Sequence, residues 1–235
     1  MGALGLAGAF SFQSSKHITA GEGGMVVTND KNLAERCASW INCGRSPGGA
    51  WHTHVQLGSN YRLTELQAAV ILVQLERYEK MLARRQQAAR YLKEHLSAIE
   101  GIRVLTLPEY VTACSWHFLT LRYDPGAFGG LPKDDFVKAL DAEGIKPAHG
   151  GYYIPIYRQQ FLLEKNVGPY EEIRRHKFGT KVIDYADFQC PVTERACATE
   201  AVWLLQNLLL AEREGLEDIV RAVEKIRENY EELLG

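Results

Sequence analysis

At 235 residues, with 46% apolar and 24% charged side chains, the chain has the composition of an ordinary globular protein, long enough for one large domain or two small ones. A net charge of −2 rules against the clustered basic excess by which proteins hold nucleic acid or an anionic bilayer, and no run of about eighteen apolar residues is present to span a membrane. Cys37, Cys43, Cys114, Cys190 and Cys197 form an odd set without a C-x-x-C pair, which argues against a disulfide framework or zinc knuckle and for a reducing cytoplasm.

The opening stretch, Met1 to Phe10, is small and apolar, lacks a basic start and runs straight into Ser11, so it is expected not to be a signal peptide. Lys16 follows in a Ser- and Gly-rich turn, Ser11-Phe12-Gln13-Ser14-Ser15-Lys16-His17-Ile18-Thr19-Ala20-Gly21-Glu22-Gly23-Gly24. A lysine displayed by backbone in this way can serve as an imine-forming nucleophile; position and composition alone favour a solvated surface lysine. Gly24–Thr28 reads as a short strand ending at the Asn29-Asp30 turn, and Lys31–Asn42 as a helix stopped by Gly44.

Residues 44–54 are loop by composition. They lack the Gly-Lys-Ser/Thr ending of a phosphate loop, and His52 and His54 have no third ligand nearby, so no metal is expected. Thr64 and Gln67 form a capping box that starts a long helix, with Leu75, Tyr78, Leu82, Ala89, Leu92 and Leu96 on one apolar face. The opposite face, including Arg84, Arg85 and Arg90, mixes acids and bases and reads as solvated.

Strands are then expected at Ile102–Leu107 and Trp116–Tyr123, a helix between Pro132 and Gly144, and a strand at Ile145–Ala148. The aromatic run Tyr152–Arg158 is read as packing. Cys190–Arg195 precedes what reads as an apolar helix carrying Ala201, Val202, Leu205, Leu208 and Leu209, and an amphipathic helix from Leu216 to Leu233 closes the chain. Strands alternating with helices place the chain in the α/β class.

The pattern Ser-Phe-x-x-x-Lys-x-x-x-x-Gly-Glu-Gly-Gly, followed by Gly58-Ser59-Asn60-Tyr61-Arg62-Leu63-Thr64-Glu65-Leu66-Gln67-Ala68-Ala69, resembles the DegT/StrS family of pyridoxal-phosphate-dependent sugar and cyclitol aminotransferases. The resemblance implies a fold-type-I transferase in which Lys16 carries pyridoxal 5′-phosphate, Ser11 bonds its phosphate and Asn60 reaches the phosphate of a partner subunit. It implies a remnant of the large cofactor-binding domain over residues 1–60, a connector helix over 61–97 and a small α/β domain over 98–235. Family members carry a further segment before the lysine, which supplies a carboxylate for the ring nitrogen, backbone donors for the phosphate and a stacking ring; no position here matches these. The implied reaction moves an amino group from glutamate or glutamine to a keto sugar or keto cyclitol, with the Cys190–Arg195 and Tyr153–Arg158 stretches closer in look to the inosose branch, whose products are aminocyclitols for antibiotic biosynthesis. A homodimer, or pairing with a chain that supplies the absent half, would complete it. Two alternatives remain open, a non-catalytic dimerisation or regulatory fragment and a sugar dehydratase, although the dehydratase relatives have histidine where Lys16 stands.

Overall fold

The computed structural model describes residues 2, 4–166, 168, 170–179 and 184–234. The opening stretch Met1 to Phe10 falls partly on residues 1 and 3, outside the described set. By internal contacts the chain divides into two units, residues 1–83 and 84–235.

In the first unit, strand β1 (Ala7–Ser11) pairs antiparallel with β2 (Gly24–Thr28), Ser11 opposite Gly24. Helix α1 (Lys31–Ile41) starts where the Asp30 side chain accepts the Leu33 N–H at 2.9 Å. It ends at Gly44, whose positive φ of 78° lets its N–H turn back to the Ser39 carbonyl at 2.7 Å.

Helix α2 (Glu65–Leu96) has 32 residues and crosses the division between the units. The capping box is present: the Gln67 side-chain carbonyl accepts from Thr64 N–H at 3.1 Å and Thr64 Oγ1 accepts the Gln67 N–H at 3.2 Å. The expected apolar face is buried only toward the C-terminal half, at Ala88, Ala89, Leu92 and Leu96; Leu66, Val70, Leu72, Val73 and Leu75 stay exposed, and Ile71 is buried.

Arg85, expected among the solvated charges, is 1% exposed. Gln206 explains the difference, since its backbone carbonyl accepts from Arg85 Nε at 3.3 Å and its side-chain oxygen from Nη2, giving the buried cation the partners it requires.

The second unit is built on a four-stranded antiparallel sheet in the order β3-β4-β6-β5, from β3 (Ile102–Val104), β4 (Phe118–Tyr123), β5 (Ala148–His149) and β6 (Ala201–Leu205). Helix α3 (Lys133–Ala142) lies between β4 and β5 in sequence. Short helices α4 (Gln160–Leu163), α5 (Tyr170–Phe178) and α6 (Pro191–Arg195) follow β5, then a π-helical turn at Ala196–Glu200, and α7 (Arg213–Glu228) follows β6. The mixed helix and sheet content is that of the expected α/β class.

The sheet buries Ile102, Val104, Leu119, Leu121, Tyr123, Val202 and Leu204 in one cluster with Phe136 and Leu140 of α3 and with Ile219, Val223 and Ile226 of α7. The Tyr123 hydroxyl donates to the Leu131 carbonyl at 2.8 Å, and burial pushes the phenol up in pKa.

Further expectations change, among them the strand expected at Ile102–Leu107, which ends at Val104. The apolar run around Ala201–Leu209 contains an interior strand and not a helix: Val202 and Leu204 are buried while their neighbours are half exposed, a period of two that an unbroken apolar run hides. The strand expected at Ile145–Ala148 starts later, after Pro147, which has no N–H to give to a ladder. The strand expected from Trp116 begins at Phe118, because Trp116 itself has a positive φ of 57°.

Candidate active site

The Lys16 loop spans the gap between β1 and β2. Phe12, buried at its root, donates its N–H to the Gly23 carbonyl at 2.9 Å, and its own carbonyl accepts from Ala20 N–H at 3.0 Å and Thr19 Oγ1 at 3.1 Å. These bonds close residues 13–22 into a ring of backbone. Ser11 is exposed at the end of β1, where its hydroxyl accepts the Gln13 N–H at 3.3 Å and keeps its own proton to give away.

Lys16 is half-buried at the end of a tight turn, its N–H on the Gln13 carbonyl at 2.9 Å; the Gln13 side-chain oxygen accepts the Ser15 N–H at 2.8 Å and so holds the turn from within. Among the described residues the Lys16 amine has no ion-pair or hydrogen-bond partner. Near the other end of the loop, the Gln67 side-chain amide donates to the Glu22 carbonyl at 2.8 Å.

Asn60 sits on a different segment, laid along the end of α1: Ser59 N–H reaches the Trp40 carbonyl and Tyr61 N–H the Ile41 carbonyl, both at 2.8 Å, and Arg62 donates to the Asn42 side-chain carbonyl at 2.8 Å. Its side chain is exposed, and no hydrogen bond among the described residues joins it to Ser11 or Lys16. Ser11 and Lys16 thus lie at one loop, and Asn60 lies on a separate segment of the same unit. An open groove of about 730 Å³, lined by Phe10, Met25, Val26, Cys37, Ile41 and Leu63 among others, includes none of the three.

In the 44–54 loop, Arg45 lies over the Trp51 ring at 4.7 Å, and the His54 ring nitrogen Nδ1 sits 2.7 Å from the Cys43 carbonyl. Among the described residues no group of three His, Cys, Asp or Glu side chains is placed to hold a metal.

In the second unit, the first residue of α3, Lys133, is 3% exposed and donates to the Gly150 and Cys197 carbonyls, each at 2.6 Å, with the Tyr153 ring 4.7 Å from its amine. Burial draws its pKa down. Sequence reasoning passes over it because a lysine followed by Asp134 and Asp135 in a first helical turn reads as solvated charge.

The segments Tyr152–Arg158 and Cys190–Arg195 meet at Glu194. Its carboxylate accepts from the Tyr157 hydroxyl, from Cys190 N–H at 3.2 Å and from Arg158 at 3.3 Å, and these bonds, the tyrosine's first, hold it below the usual carboxylate range.

An unpaired amine on a staked loop, with a free hydroxyl proton at the same strand end, is a donor set that suits a phosphorylated aldehyde: the amine can condense and the hydroxyl can bond the phosphate. Pyridoxal phosphate fits these two residues on that ground.

Comparison with known proteins follows the same direction. A family model described as the DegT/DnrJ/EryC1/StrS aminotransferase family matches residues 1–224. A Streptomyces kanamyceticus protein, provisionally named L-glutamine:3-amino-2,3-dideoxy-scyllo-inosose aminotransferase, is 35% identical over 99% of this chain and 55% of its own length. L-glutamine:2-deoxy-scyllo-inosose aminotransferase of Streptoalloteichus tenebrarius is 32% identical over 99% of this chain and 56% of its own. The crystal structure of 3-amino-5-hydroxybenzoic acid synthase superposes with a TM-score of 0.73 at 27% identity, covering 93% of this chain and 53% of that one. The chain therefore spans about half the length of the curated relatives it matches.

Proposed function

From the premise that this chain belongs to the DegT/DnrJ/EryC1/StrS aminotransferase family, we propose that it carries the lysine-bearing part of a pyridoxal-phosphate-dependent site that moves an amino group from glutamine or glutamate to the carbonyl of a keto cyclitol or keto sugar. The names of the two curated relatives support glutamine as donor and a keto cyclitol as acceptor. The observation that carries the reading is the placement of Lys16, an amine without a partner on a loop closed at its root by Phe12.

On this reading Lys16 Nζ holds the cofactor, and the Ser11 hydroxyl donates to its phosphate. Asn60, which is exposed, reaches the site of a partner subunit. When bound, the cofactor supplies a carbonyl that condenses with amines and a ring that accepts the electron pair left when a neighbouring C–H bond loses its proton. The remaining work is the protein's. Once displaced by the donor, Lys16 Nζ would take the proton from the donor's α-carbon as general base and deliver it to the cofactor's C4′ as general acid.

Residues 1–60 are read as part of the cofactor-binding domain, 61–97 as the connector and 98–235 as the small domain, in a homodimer or in assembly with a chain that provides the rest of the family's length, in the cytoplasm. The carboxylate, phosphate donors and stacking ring that relatives bring to the ring belong to that further length.

Incubating the protein with pyridoxal phosphate, reducing with borohydride and mapping the mass tag should place it on Lys16, and Lys16→Arg should abolish tagging there. A tag on another lysine with Lys16 unmodified defeats the reading. The exposed apolar side chains Leu66, Val70, Leu72 and Val73 at the start of α2 favour a second reading, a non-catalytic pairing module. A stable hetero-oligomer that takes no tag would select it.

A further inference from the structure

We propose that Gln67 is a positioning residue for Lys16, one side chain whose carbonyl caps helix α2 while its amide stakes the descending arm of the lysine loop; this rests on the reading of Lys16 given above. The Gln67 Oε1 accepts from Thr64 N–H at 3.1 Å and from the Thr64 hydroxyl at 3.0 Å, and its Nε2 donates to the Glu22 carbonyl at 2.8 Å, a contact between residues 45 apart in sequence. A capping box ordinarily uses only the acceptor of this residue. Here the donor half of the carboxamide is used as well, on the strand side of the catalytic turn.

Lys16 hangs between two anchors. The ascending anchor is local, Ser11 and Gln13, bonded within the turn itself. The descending arm is held to the root by Ala20 and Thr19 on the Phe12 carbonyl, and Gly21 N–H caps onto Thr19 Oγ1 at 3.1 Å. At Glu22 and Gly23 this arm meets another element. There Gln67 bonds the carbonyl of Glu22, and Leu63 lies so near Gly23 that a Cβ on the glycine would stand 3.0 Å from the leucine Cδ1. Gly23 also has a φ of +147°, which a side chain rarely adopts. The lead into α2 therefore holds the loop's descending arm through two side chains, Gln67 on a backbone carbonyl and Leu63 against a glycine. A lysine must stand in a fixed place to meet a carbonyl and later a C–H bond, so the anchor serves the chemistry without touching the reacting atoms.

Gln67→Glu separates the two uses. Glutamate is the customary partner of threonine in a capping box, so the helix start survives, while the N–H that reaches Glu22 is replaced by an oxygen that repels its carbonyl. Hydrogen exchange read by mass spectrometry on the full chain should show amides 17–22 exchanging roughly 2- to 10-fold faster, the range expected for one lost hydrogen bond, with amides 66–69 unchanged. The fraction of Lys16 tagged by pyridoxal phosphate and borohydride should fall with it. Gln67→Met, which loses both uses, should speed exchange in both segments. Unchanged exchange at 17–22 in Gln67→Glu overturns the proposal. Faster exchange there, with no tag on Lys16 in either protein, supports the anchor and overturns the reading of Lys16 instead.

Discussion

The two units handle similar chemistry in opposite ways. Among the described residues before position 84, Phe12 and Ile71 are the apolar side chains that are buried, whereas Leu57, Leu66, Leu72, Val73 and Trp51 face solvent. Beyond it, sheet and helices share one cluster in which Leu92, Leu119, Phe128, Phe136 and Leu204 are covered almost completely. Helix α2 shows both behaviours along a single element, apolar and bare at its start, apolar and buried toward its end. The lesson is that the second unit contains the means of its own stability, while the first is held chiefly by backbone pairing, the β1–β2 ladder and the caps. Secondary structure without an interior is weakly stabilised, because the hydrophobic term that offsets chain entropy is missing.

Three substitutions sharpen or break this contrast. Phe136→Ala removes a ring stacked on Tyr123 at 4.5 Å and set edge-on to Phe128 at 5.4 Å, and should cost about 3–5 kcal/mol in chemical denaturation of the second unit. A loss below about 1 kcal/mol would mean that the cluster is loosely packed and that the contrast is false.

Lys133→Met keeps the length and apolar stem but leaves the Gly150 and Cys197 carbonyls without their donor. The expected loss is about 1–3 kcal/mol, seen in the same denaturation curve. No loss would show that water replaces the amine.

Leu72→Ser, at 62% exposure, should move stability by no more than about 0.5 kcal/mol in either direction. A cost approaching that of Phe136→Ala would show that this helix face is covered in the assembled protein, and the bare half of α2 would then count as interior.

Much of this was open to reading in the residues, and the exceptions share a cause. The Thr64–Gln67 box, the helix α3 between Pro132 and Gly144 and the amphipathic α7 are set by local signals, and they stand where their patterns place them. The same is true of the lysine motif, whose loop is closed by bonds within fifteen residues. What escaped is set by distant partners. Arg85 looks like surface charge until Gln206 is brought beside it, and Lys133 until two carbonyls from residues 150 and 197 converge on it. The strand β6 was hidden by a run of apolar residues without period, and its ladder partners on β4 lie about eighty positions earlier.

The late arrival of β6 has a consequence for how the protein comes into being. Residues 201–205 take the interior place between β4 and β5, so while the polypeptide emerges from the ribosome both flanking strands must wait with unsatisfied ladder groups. Until residues 201–205 have been translated, the four-stranded sheet can offer only its β3–β4 pair, and the helices that pack on it have no finished surface to land on. Closing such a gap across so long a tether is slow compared with forming local turns. The interval before closure is when a chaperone, or a neighbouring nascent chain, finds the exposed edges.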